Sequence, residues 1–339
     1  MSESIAMISG CLGTELSAEE KAFFSDRRPW GFILFARNLK EANQISDLTA
    51  SFREAVGRPN APVLIDQEGG RVQRLRPPLA PNYPSGAALG AIYRQSPSAG
   101  RQAARMLSRL HAIDLRKLGI NVDCLPVLDV PVEGANNVIG DRAYGFDPVT
   151  VTEMGREAAL GLMDGGVLPV MKHMPGHGRG MADSHHHVPV VTARLAELEA
   201  HDFIPFAALA DLPLAMTGHV IFTAIDAERP ATSSPIVIEE IIRGYLKYDG
   251  LLMTDDLSMN ALSGDMGRRA RAIFDAGCDM ALHCHGIMDE MLAVAEEAPV
   301  LAGKPLQRAE AALSRIAAMD DHDEMALRTE FDGLLSAIA

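Results

Sequence analysis

Short apolar runs alternate along the chain with longer stretches whose apolar residues recur every three or four positions. Eight such runs, rich in Ile, Val, Leu and Met, span residues 5–9, 31–35, 63–67, 122–129, 169–173, 212–219, 250–255 and 280–284. Runs without polar alternation suit strands buried on both faces, as in a parallel sheet covered by helices. Between them, Ala103, Met106, Leu107, Leu110 and Ile113 fall on one face of a helix predicted over 102–118. Asp147-Pro148 and Ser234-Pro235 each place a capping side chain before a proline at the first helical position, and Gly119 and Gly165-Gly166 stand where helices should stop. The alternation predicts an α/β fold, a single (β/α)8 TIM-type barrel with extra C-terminal helices. No linker-like stretch divides the chain, so residues 1–339 read as one catalytic barrel domain, with about 305–339 as a helical extension packed outside it. The acidic run at 320–324 reads as solvated surface or a helix start.

Composition narrows the function classes. Of 339 residues, 47% are hydrophobic and 22% charged, enough to bury a large core. Lys and Arg number 31 against 45 Asp and Glu, a formal charge of −14, which argues against nucleic-acid or anionic-membrane partners. No run approaches the ~18 apolar residues of a membrane span, and the first residues lack the basic segment of a secretory signal. Cys11, Cys124, Cys278 and Cys284 form no CxxC spacing and read as reduced core thiols, which suits a cytoplasmic protein.

The candidate chemistry sits at the strand ends, where barrels of this kind build their sites. The third run ends in Asp66, with Glu68, Arg71 and Arg74 just beyond; the fourth ends in Asp129, the fifth in Lys172-His173, the sixth in His219, the seventh in Asp255-Asp256 and the eighth in His283 and His285. Charges at six ends directed into one mouth repel or demand pairing unless a polar ligand sits among them. After the fifth run, KHMPGHGRGMADSHHHVPVV carries His173, His177, His185, His186 and His187 on a long polar loop. Imidazoles with a carboxylate suit a zinc site; Asp183 two residues before His185 suits instead a carboxylate–imidazole pair for proton transfer. Barrel metallohydrolases commonly carry an HxH pair on the first strand, and this one ends in Ser9-Gly10-Cys11. Lys172 raises Schiff-base chemistry as a further option, although with His173 beside it and Arg74 nearby it has the look of a hydrogen-bond donor to hydroxyls or anions.

Five strings occur in the order of a known family: VLIDQEGGRVQRLR (63–76), VIGDRAYG (138–145), KHMPGHG (172–178), DSHHHVP (183–189) and ATSSPIVIEEIIRGYLKYDGLLMTDDLSM (231–259). Through them the chain resembles glycoside hydrolase family 3, in particular its single-domain bacterial β-N-acetylhexosaminidases of the NagZ type. The resemblance implies Asp255 as nucleophile, Asp183 and His185 as the acid/base dyad, and Asp66, Arg74, Arg142, Lys172 and His173 as the groups that hold an N-acetylglucosamine ring. It implies a saccharide substrate from cytoplasmic peptidoglycan recycling; the missing HxH pair on the first strand and the Asp183–His185 pair argue for activity without a metal, and no cofactor and a monomer are expected. Retention at a glycosidic bond needs a carboxylate on one face of the anomeric carbon and a proton donor on the other, and a His–Asp pair can supply the second. A metal-dependent barrel hydrolase using the loop histidines, a phosphorylase in which phosphate replaces water, and a non-catalytic sugar-binding barrel are the competing readings.

Overall fold

The computed structural model describes residues 4–135, 137–180, 188–317 and 323–336. Eight strands close into a barrel: β1 (Ile5–Ser9), β2 (Pro29–Leu34), β3 (Val63–Ile65), β4 (Val122–Asp123), β5 (Leu168–Met174), β6 (Leu214–Thr217), β7 (Leu251–Asp256) and β8 (Met280–His283). Each pairs in parallel with the next along the chain, and β8 closes on β1. All eight predicted runs therefore carry a barrel strand. The helices α1 (Ala18–Arg27), α2 (Ala42–Ala55), α3 (Gly86–Gln95), α4 (Pro97–Arg116), α5 (Pro148–Asp164), α6 (Leu195–Glu199), α7 (Ile204–Ala208), α8 (Met266–Asp275) and α9 (Met288–Glu297) connect or follow the strands.

The two-residue period of each strand splits its side chains between two cores. Ala6, Ile8, Leu64, Val122, Leu168, Val170, Leu214, Met216, Leu251, Met253, Met280 and Leu282 pack together as the barrel interior. Their neighbours Met7, Phe32, Val63, Ile65, Met171, Ala215, Leu252 and Ala281 join the larger cluster under the helices.

Local signals hold with adjustments. Asp147 caps α5 by accepting from the Thr150 N–H at 2.9 Å, with Pro148 as the first helical residue. The helix expected over 102–118 begins earlier, at Pro97, because Ser96-Pro97 repeats that capping signature. The segment begun by Ser234-Pro235 winds over Val237–Tyr245 as a π-helix. Asp323 starts helix α11 (Glu324–Ser336) by accepting from the Met325 and Ala326 N–H groups.

Two expectations are corrected. The fourth run does not continue as a regular strand to 129: the ladders on both sides end at Asp123, Pro126 has no N–H to donate, and beyond it only irregular backbone bonds to β5 remain, such as the Lys172 N–H to the Pro126 carbonyl and the Leu128 N–H to the Lys172 carbonyl. The C-terminal helices do not all lie outside. Helix α10 (Gly303–Leu313) contributes Ala309 and Ala312 to the interior cluster together with Trp30 and Leu301, so it closes the floor of the barrel. Helix α11 does pack outside, on α4, where Arg328 reaches Asp114 at 2.5 Å and the Tyr83 hydroxyl at 2.9 Å.

One contact matters for the mouth. Glycines of α3 let backbone press on backbone: a Cβ at Gly86 would stand 2.2 Å from the Arg142 carbonyl oxygen, and one at Gly90 1.6 Å from that of Tyr144. Helix α3 thereby seats the loop that carries Arg142. Gly90→Ala is expected to lower the unfolding free energy by about 2 kcal/mol through overpacking. Gly333→Ala in α11, where nothing lies within 4 Å of the added methyl, should raise it by roughly 0.5 kcal/mol. Equilibrium urea denaturation of both variants measures the contrast.

Candidate active site

Six of the eight residues that the resemblance assigns to the site meet in one cavity of about 530 Å³ at the C-terminal ends of the strands: Asp66, Arg74, Arg142, Lys172, His173 and Asp255. Asp183 and His185 lie outside the described residues. Lys172 continues the inward series Leu168, Val170 on β5 and rises from the core into the mouth. Just past β3, Asp66 leads into a hairpin (Gln67–Gly69 with Val72–Gln73) that turns the chain back so that Arg74 returns beside it.

These groups form a chain of alternating charge. The Lys172 ammonium donates to Asp66 at 2.9 Å and stands 2.6 Å from Glu68. Asp66 accepts from Arg74 at 3.0 Å, and Glu68 takes Arg142 in a two-bond fork at 2.8 Å each. Burial opposes ionisation of Asp66 and Glu68, but the cations outweigh it; Asp66 is held well below the usual carboxylate range and Glu68 down at about 2. Burial alone would neutralise Lys172, yet its two carboxylates hold its pKa above the ordinary lysine value. An ammonium so held is a donor, not an amine nucleophile, which removes the Schiff-base option.

The rest of the mouth is built around carboxylates as well. Asp129 receives the His173 ring Nδ1 at 2.7 Å and the His177 N–H at 2.6 Å, and its pKa falls to about 2 because His173 and these bonds overcome burial. Asp255, at the end of β7, accepts from the Asp256 N–H at 2.8 Å. Burial pushes its carboxyl up, and the His219 and His173 rings, that N–H and the Lys172 ammonium together bring it below the ordinary value. It is therefore a half-buried carboxylate at a strand end, held in its ionised form. Among the described residues, no three His, Cys, Asp or Glu side chains stand together as a metal-ligand set.

Not every strand-end residue points into the mouth. His283 alternates with the inward Leu282 and Cys284, so it faces outward and meets Glu290 at 2.8 Å. His285 is half-exposed at the rim, 3.1 Å from the Ser258 hydroxyl. The HxH pair on the eighth strand is thus a core histidine and a loop histidine. The Asp256 carboxylate, although it borders the cavity, is taken up by Ser258 and the Cys284 N–H.

The family model described as Glycosyl hydrolase family 3 N terminal domain matches residues 4–319. The chain belongs to glycosyl hydrolase family 3. Family 3 relatives include a beta-hexosaminidase of Alkalilimnicola ehrlichii, 40% identical over 82% of this chain and 80% of that protein. One from Thiobacillus denitrificans is 40% identical over 83% and 79%. Among solved structures, NagZ from Neisseria gonorrhoeae in complex with N-trifluoroacetyl-D-glucosamine superposes with a TM-score of 0.86 at 29% identity, over 99% of this chain and 98% of that one. A family 3 beta-N-acetylglucosaminidase from Paenibacillus sp. str. FPU-7 superposes equally well at 30% identity, and the chain spans 66% of its length.

Beyond the residues expected to hold substrate, the family 3 mouth contains Glu68, Asp129 and His177. Glu68 was legible: two residues past Asp66 in extended chain, it falls on the same side. Phe35 at the end of β2 was not; its ring lies between Arg37 and Arg74, with guanidinium carbons 5.1 and 5.3 Å from its centroid, and so orients Arg74.

Because Glu68 is held near a pKa of 2, the unfolded chain binds more protons than the folded one below the ordinary Glu range. Its stabilisation is present above about pH 5 and lost as pH falls toward about 2. Glu68→Gln is expected to destabilise by about 3 kcal/mol at neutral pH, by stripping Arg142 and Lys172 of a buried partner. It should also flatten the decline of stability between about pH 5 and pH 2. Urea denaturation across that window checks both.

Proposed function

We propose that this family 3 hydrolase is a retaining β-N-acetylglucosaminidase acting through a covalent glycosyl-aspartate on Asp255. The observation that carries the reading is Asp255 itself, a half-buried carboxylate kept ionised in the wall of a cavity that it shares with Asp66, Arg74, Lys172 and His173. The names of its relatives and the N-trifluoroacetyl-D-glucosamine bound by the Neisseria NagZ support an N-acetylglucosamine ring as the sugar held there.

Asp255 attacks the anomeric carbon as the bond to the aglycone oxygen breaks, and His185, oriented by Asp183, gives that oxygen its proton. Water then enters from the opposite side, loses a proton to His185 and releases Asp255. Asp66, Arg74, Arg142, Lys172 and His173 hold the ring, directly or through the charge chain, while this happens. The physiological substrate is a peptidoglycan fragment, N-acetylglucosamine joined to 1,6-anhydro-N-acetylmuramic acid with or without a stem peptide, and the setting is cytoplasmic cell-wall recycling by a monomer without metal or cofactor. No described helix is long and apolar enough to cross a membrane.

Incubation with a slow-turnover fluorinated N-acetylglucosaminide should label Asp255 in the peptide mass map; a label on Asp256, or none in an active enzyme, overturns the assignment. Phosphate-dependent turnover yielding the sugar 1-phosphate would move the enzyme to phosphorolysis.

The acid/base role of His185 is checked by leaving-group dependence. His185→Ala should slow substrates with poor leaving groups by ~10²–10⁴-fold more than activated aryl glycosides, with azide restoring the second step as a β-glycosyl azide. Equal losses on both substrates, without azide product, would make His185 a binding or loop residue.

A further inference from the structure

His177 is a polar residue of the mouth that the reaction outlined above leaves without a task. The residue is only 3% exposed, borders the same cavity as Asp255 and His173, and has no hydrogen-bond partner on either ring nitrogen among the described residues. A buried polar group left unpaired is disfavoured by roughly 1–3 kcal/mol, so a fold that keeps one in the wall of a ligand cavity has a partner for it in the bound state.

The backbone around His177 is tightly held, although the ring is not. Its N–H donates to Asp129 at 2.6 Å, the Gly176 N–H donates to the His173 carbonyl at 2.8 Å, and the Gly180 N–H donates to the His177 carbonyl at 3.0 Å. Gly178 lies so close to the 130–131 backbone that a Cβ would stand 2.0 Å from the Val130 carbonyl oxygen, and a Cβ at Gly180 would stand 2.9 Å from the imidazole. The ring also packs edge-on against His173, with centroids 5.9 Å apart. Burial lowers its pKa to about 4 against the pull of Asp129, so the imidazole is neutral at neutral pH and offers one donor and one acceptor. That pair complements a sugar hydroxyl or an acetamido group and does not suit an anion, which the neighbouring Lys172 and Arg74 would hold better.

We propose that His177 is a specificity-determining residue that makes a direct hydrogen bond to one polar substituent of the sugar held beside Asp255. The inference rests on the glycosidase reading and adds a substrate contact that the charge chain does not provide. Its bond forms only on binding, so the residue contributes to recognition and nothing to the stability of the free protein.

His177→Phe keeps a planar ring in the same space and removes both nitrogens. The test compares wild type and variant on an aryl β-N-acetylglucosaminide and on its 3-deoxy, 4-deoxy, 6-deoxy and 2-desacetamido analogues, with thermal unfolding of each free protein. The expected result is a loss of about 10-fold in kcat/KM on the parent, carried by KM, which disappears on one analogue because that analogue already lacks the partner group. The Tm of free His177→Phe should equal or exceed that of wild type. Equal losses on every analogue, or a lowered Tm, overturn the proposal in favour of a structural role, and a loss confined to poor leaving groups overturns it in favour of proton donation. Failure of the wild type to cleave the parent glycoside overturns the glycosidase reading together with this one, whereas an active wild type with uniform variant losses overturns this one alone.

Discussion

The Lys172 ammonium, lodged between Asp66 and Glu68, is the interaction on which the mouth of the barrel depends. Five charged groups run in sequence, Arg74, Asp66, Lys172, Glu68 and Arg142, and each carboxylate bridges two cations. Removing any inner member leaves a buried charge without its partner, the situation that is far less favourable than the intact pair. The chain ties together three separate parts of the sequence: the hairpin after β3, the loop seated on α3, and β5. With three cations against two anions it carries one net positive charge, which faces the carboxylate of Asp255 across the cavity. A carboxylate partly withdrawn from water stays ionised beside such a counterpart, and Lys172 is among the groups that lower its pKa.

Asp129 performs the corresponding task on the other side of β5. It sits beyond the point where Pro126 ends regular pairing of β4, and it gathers the His173 ring and the His173 and His177 N–H groups. The Lys172–His173 peptide bond is cis, and both side chains face the cavity. One strand exit thus carries a cation locked into the charge chain and an imidazole locked onto a carboxylate. Rigid placement of this kind is what allows a polar cavity wall to meet a ligand without rearrangement.

Packing beneath the site has the same character. The interior cluster runs without a polar break from the floor made by α10 up to Met216, Leu282 and Cys284, which border the cavity. Polar atoms therefore begin at one level, the strand ends, and the floor of the cavity is apolar. A sugar placed there meets hydrogen-bonding groups around its edge and hydrocarbon below, the distribution of polarity that a pyranose ring itself presents.

The eight apolar runs, the Asp147-Pro148 cap and the strand-end positions of Asp66, Lys172 and Asp255 were all readable along the chain, because continuous burial, capping chemistry and barrel geometry each depend on residues close in sequence. The family strings added a reaction to those positions. Other features depended on contacts between distant segments. His283 and His285 look alike in sequence, yet the two-residue period in the folded strand sends one to Glu290 behind the barrel and leaves the other at the rim. Glu68 could be placed beside Asp66 by spacing, but its fork with Arg142, 74 positions away, exists only once α3 seats the 140–145 loop. The inward turn of α10 was hidden because its alanines do not differ from those of a surface helix until the barrel floor meets them. His177 belongs to the same class: its sequence shows an imidazole among glycines, and only the closed barrel buries that ring in the cavity wall beside His173.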